Sequence, residues 1–122
     1  MQLSKTKLET KIKKTMFDTF HQTLGDLRGK KEAEIFLNNF LTKMEKAKLA
    51  KRLMIAVYLE KNKSYDFIKK NLRVSSATIA NVDKMMANNG GFSLALERIE
   101  IEEWATRTAR KINNFLKRLT NH

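Results

Sequence analysis

Residues 64–86, SYDFIKKNLRVSSATIANVDKMM, hold two short runs of helical apolar spacing separated by a tight turn. Ser64 can N-cap a first helix that runs through Phe67 and Ile68 to Leu72. Ser75 can N-cap a second that carries Ile79, Val82 and Met86 on one face. Ile68, Leu72, Val74, Ile79 and Val82 are the apolar positions two short helices need to bury a shared corner. The pattern over 64–86 is that of a helix-turn-helix.

With Ile79, Val82 and Met86 turned inward, Ala77, Ala80, Asn81 and Lys84 point away. These side chains are small or polar, with one cation, and such a face can enter a major groove without clashing. The same spacing also fits an ordinary helical corner with a solvated face. Two positions depart from an ideal corner. Arg73 stands at the turn, where a non-glycine residue at positive φ costs up to about 1–2 kcal/mol. Lys69 stands mid-helix, where the close crossing favours alanine or glycine, although its stem can lie on the surface with the charge in water.

The chain has 122 residues with 42% hydrophobic and 31% charged, enough to fold around a core. There is no proline and there are four glycines, which favours long helices over many-stranded sheets. Without cysteine there is neither a disulfide framework nor a thiolate metal site. No apolar run reaches the roughly 18 residues of a membrane span. The opening MQLSKTKLETKIKK has no apolar signal core, so a cytoplasmic protein is expected. The formal charge of +12 points to a polyanionic partner: DNA, RNA or an anionic membrane surface.

Ser4 or Thr6 can open the first helix, in which Leu8, Ile12, Met16, Phe20 and Leu24 recur every fourth residue. Lys5, Lys7, Lys11, Lys13 and Lys14 populate its other face. That face suits a basic arm reaching for phosphates or headgroups. It equally suits a solvated surface around a core or dimer stripe, which is the reading adopted. Gly25, Asp26, Arg28 and Gly29 break the helix, and a second from Lys31 to Leu41 is expected to bury Ile35, Phe36, Leu37, Phe40 and Leu41. Thr42 and Glu45 form a capping box for a third helix. It turns apolar all round from Leu53 to Leu59, and is expected to be covered on every side. Beyond the helix-turn-helix, Ala87-Asn88-Asn89-Gly90-Gly91 is a helix stop, and Ser93 can N-cap a last helix to about Leu119. Glu97, Glu100, Glu102 and Glu103 near its start and Arg107, Arg110, Lys111, Lys117 and Arg118 near its end suit the helix dipole. No repeat or linker interrupts the chain, so a single all-helical domain over 1–122 is expected.

Nothing in the sequence builds a catalytic site. His21 lies off the main apolar stripe and His122 is terminal, too far apart for a metal pair. There is no glycine-rich phosphate loop, and adjacent helical residues such as Glu102 and Glu103 do not face each other as an acid/base dyad. No enzyme, metal or cofactor is expected.

The segment LAKRLMIAVYLEKNKSYDFIKKNLRVSSATIANVDKMMANNGGFSLAL, Leu49 to Leu96, resembles the Trp repressor superfamily, especially its YerC-like branch. The carrying pieces are Ala77-Thr78-Ile79, Leu49-x-x-Arg52-Leu53 and the Asn/Gly-rich exit before Phe92. The resemblance implies an all-α fold, an intertwined homodimer and operator binding by two helix-turn-helix units. Where that family has Ser-Arg or Thr-Arg after Ala-Thr-Ile, this chain has Ala80-Asn81, and where the tryptophan-binding members have glycine it has Val82. Arg52 can supply one cation for a ligand carboxylate, but the second is missing. The expectation is a dimeric regulator of double-stranded DNA without tryptophan as corepressor and without a membrane partner. Ser75, Ser76 and Thr78 are expected at phosphates and Ala77, Asn81 and Lys84 at base edges. Lys69, Lys70 and Arg73 are the expected backbone clamps. A non-specific architectural binder and a helical interaction module remain as alternatives.

Overall fold

The computed structural model describes residues 2–88 and 90–121; Asn89 of the helix stop and His122 lie outside them. The described residues form six helices and no strand: α1 (Gln2–Asp26), α2 (Gly29–Phe40), α3 (Lys43–Glu60), α4 (Tyr65–Leu72), α5 (Ser76–Asn88) and α6 (Gly91–Thr120). The all-α expectation therefore holds. They fall into two compact units, Met1–Ala47 and Lys48–His122.

In the first unit α1 starts ahead of Ser4 and Thr6, and the break falls at Leu27 and Arg28. Gly29 has φ 73, so the break uses a backbone conformation that glycine adopts without penalty. Rings join the two helices: Phe20 lies 5.9 Å from Phe40, which stacks on Phe36 at 4.9 Å. No residue of α2 is buried, and Ile35 and Phe40 are exposed, contrary to the sequence expectation. Within this unit α2 has only one long helix to pack against, so a single side of it is shielded. The capping box opens α3 as expected. Thr42 N–H donates to Glu45 Oε1 at 3.0 Å, and Glu45 N–H donates to Thr42 Oγ1 at 3.1 Å. The Thr42 backbone N–H, followed by its hydroxyl, holds the Glu45 carboxyl below its ordinary pKa.

The second unit is organised around α3. Ile55, Ala56, Ile68, Ile79 and Val82 form its buried core, with Tyr58, Leu59, Leu72, Val74, Met86, Phe92 and Leu96 packed against it. The cover over α3 is one-sided, because Leu53 and Met54 remain 41% and 36% exposed. Complete cover was expected. Within the unit α3 packs on one face only, against α4, α5 and the start of α6, and nothing shields the opposite face. Helix α6 also begins earlier than expected: Gly90 is its N-cap, Leu94 N–H bonds Gly90 C=O at 3.0 Å, and Ser93 lies inside the helix. No side chain caps this start. Its first turn holds no acidic residue, so Glu97 to Glu103 lie beyond reach of the dipole end, whereas Lys117 and Arg118 do occupy the last turn.

Candidate nucleic-acid interface

The corner of α4 and α5 is built by local chemistry that fixes each end. Ser64 Oγ accepts the Phe67 N–H at 3.1 Å and starts α4. Arg73 ends it in the left-handed region, φ 55 and ψ 57, with its N–H bonded to Lys69 C=O at 2.8 Å. The turn thus accepts the conformational cost of a non-glycine residue and gains a cation at the corner. Ser75 caps α5: its Oγ accepts the Thr78 N–H at 3.1 Å and its carbonyl accepts the Ile79 N–H at 3.2 Å.

On α5 the inward face is anchored by Ile79 and Val82, at 0% and 2% exposure. Ala77, Asn81 and Lys84 follow one another at four and three residues on the opposite face, and all three are exposed. Lys69 and Lys70 occupy the last turn of α4, Arg73 the turn, and Ser75, Ser76 and Thr78 the start of α5; all are exposed as well. The nine residues singled out in the sequence therefore lie on one continuous helix-turn-helix with their side chains in solvent.

The hydroxyls at the start of α5 are more committed than the sequence suggested. Ser75 Oγ and Thr78 Oγ1 are 2.9 Å apart, and either can donate to the other. Whichever donates, the other keeps its proton, so the pair offers a single hydroxyl donor to an external acceptor. Ser75 also occupies the Thr78 amide, which leaves the Ser76 and Ala77 amides as the uncapped donors of the helix. An anion at this end would meet backbone N–H groups, one hydroxyl proton and the positive end of the helix dipole.

Three further contacts surround α4. Tyr65 Oη donates to Asp83 Oδ2 at 3.3 Å and ties the start of α4 to the middle of α5. Partial desolvation, then the negative charge of Asp83, raise the Tyr65 pKa. The Phe67 ring meets Tyr58 edge-on at 5.3 Å, with Lys63 Nζ 5.1 Å from its centre. Residues 18 apart on different helices share no periodicity, so the Tyr65–Asp83 pair has no signature in sequence.

Compared with known protein families, residues 15–100 match the family described as Trp repressor protein. The chain belongs to the Trp repressor family. The match spans all of α2 to α5 and contains the whole helix-turn-helix, and the family is one of helix-turn-helix DNA-binding regulators. No curated relative matches the chain. In this Trp repressor family member Arg52 is half-buried on α3 and Asn81 is exposed on α5. Its Val82 side chain is packed into the core beside Ile55, Ile68 and Ile79.

Proposed function

We propose that the chain is a transcriptional regulator that reads duplex DNA as a homodimer, with one α5 in each of two successive major grooves. The observation that carries this reading is the two-sidedness of α5. One face is locked by Ile79 and Val82, and the other presents Ala77, Asn81 and Lys84 to solvent, preceded in the chain by the exposed cations of α4 and the turn. A rigid helix with small and amide side chains can approach base edges closely, and an asparagine can pair with adenine through two hydrogen bonds. Lys69, Lys70 and Arg73 stand where phosphates would pass and fix the register. Exposed apolar side chains on α1 and α3, among them Leu8, Ile12, Leu53 and Met54, support a partner chain, because water-exposed apolar surface of this extent marks an interface.

Selection of bound duplexes from a random pool tests this. The expected result is an enriched motif of two inverted half-sites whose centres are about 10–10.5 base pairs apart. Recovery of unenriched DNA would favour an architectural binder, a reading that the +12 charge and the asparagine at position 81 also accommodate. Recovery of no DNA at low salt would point to an interaction module.

Tryptophan is not the corepressor in this reading. An indole amino acid needs a slot beside the recognition helix and cations for its carboxylate. Asn81 offers no charge, and Val82 fills with branched bulk the place a ring would need. Calorimetry with tryptophan at about 1 mM is expected to show no saturable heat. A specific site would have a Kd well below that, a standard binding free energy of more than about 4 kcal/mol.

A further inference from the structure

Helix α6 continues for 20 residues past the end of the family match, from 101 to 120, and this extension carries an apolar stripe of its own. Ile101, Trp104, Ile112, Phe115 and Leu119 are each between 51% and 61% exposed. The opposite face of the helix is already used: Phe92 and Leu96 pack on the core, and Glu103 pairs with Lys61 at 3.0 Å. At its start the stripe thus points away from its own unit, and among the described residues none of its five side chains is buried.

Its spacing is palindromic. Ile101 and Phe115 lie seven residues either side of Thr108, and Trp104 and Ile112 lie four residues either side. Two such helices laid antiparallel with Thr108 at the centre bring Ile101 against the partner's Phe115 and Trp104 against the partner's Ile112. The steps of three, four, four and three average about 3.5 residues, the seam period of a left-handed helix pair. The flanking charges choose the same direction. Glu100, Lys111 and Arg118 are separated by 11 and 7 residues, close to whole numbers of turns, so they share one flank of the stripe. Antiparallel pairing sets Glu100 within two residues of the level of the partner's Arg118. In a parallel pair in register this flank of the two helices lies on opposite edges of the seam, so Glu100 and Arg118 would not meet.

We propose that a second copy of this chain occupies the stripe, and that the α6 extensions pair antiparallel about Thr108. The pairing lies outside the helix-turn-helix and requires no DNA contact. It specifies one surface through which the proposed homodimer associates.

The chain has no cysteine, so the double variant Ile101→Cys/Phe115→Cys carries the only two thiols. These positions are about 21 Å apart along one helix, by the helical rise, beyond the reach of a short bis-maleimide. Treated with that reagent, the variant is expected to give a covalent dimer. After tryptic digestion, mass spectrometry is expected to find position 101 of one copy linked to position 115 of the other. Links of 101 to 101 and 115 to 115 would overturn the antiparallel register. A dimer by light scattering without any cross-link would overturn the α6 interface while leaving a homodimeric DNA reader intact. A monomer at tens of micromolar would overturn both.

Trp104 is the single tryptophan and reports on the unmodified chain. Its emission is expected to shift to the blue as protein concentration rises, and Phe115→Glu is expected to abolish the shift. A shift that appears only with anionic phospholipid vesicles would assign the stripe to a membrane surface and overturn the proposal.

Discussion

Ile68→Ala is expected to destabilise the second unit by about 2–5 kcal/mol. Ile68 is fully buried at the point where α4 meets α3 and α5, among Ile55, Ala56, Ile79 and Val82. Removing its outer carbons loses their transfer free energy and leaves a cavity that three rigid helices cannot collapse into. Small domains are stable by only about 5–15 kcal/mol, so the loss is a large fraction of the whole. The neighbouring change Lys69→Ala, on the exposed side of the same helix, is expected to stay within about 0.5 kcal/mol. Chemical denaturation of both variants at one protein concentration checks this. Equal stability of the two would mean that the corner is not the centre of the core.

Affinity for duplex DNA is expected to fall about a thousandfold between roughly 50 and 200 mM salt. In the proposed complex Lys69, Lys70 and Arg73 each meet a phosphate, and two copies neutralise about six. At about 0.9 counterions released per phosphate, the slope of log affinity against log salt is about −5. Lys70→Ala would flatten it by about 1.8, one phosphate in each copy, and weaken all duplexes alike. A slope near zero in a salt titration would remove the phosphate contacts from the account.

The features that were legible in the sequence are those set by neighbouring residues. Ser64, Ser75 and the Thr42–Glu45 pair cap helices because a side-chain oxygen three residues from an amide can reach it whatever the rest of the chain does. Ile79 and Val82 follow from period alone, since a short helix has one face to bury. Arg73 could be assigned to the turn, and it adopts the left-handed backbone there. Helix starts without a capping side chain were harder: Gly90 opens α6 through backbone alone, so Ser93, the better cap by chemistry, is passed over. The apolar circumference of α3 indicated cover on every side, yet Leu53 and Met54 stay exposed, because a helix's own period does not say how many neighbours reach it. The Tyr65–Asp83 and Lys61–Glu103 contacts depend on how helices cross, which periodicity within one helix cannot encode.

If the outward face of α5 reads base edges, Asn81 is the side chain whose loss shows it. The direct measurement is a binding titration of the unmodified protein and Asn81→Ala against the selected duplex and its set of single-base-pair variants, at fixed salt. The unmodified protein is expected to discriminate at one base pair per half-site by about 1–3 kcal/mol. Asn81→Ala should lose that preference while binding random DNA as before. Retention of the full preference by Asn81→Ala, or equal binding of selected and random duplexes by the unmodified protein, would contradict it.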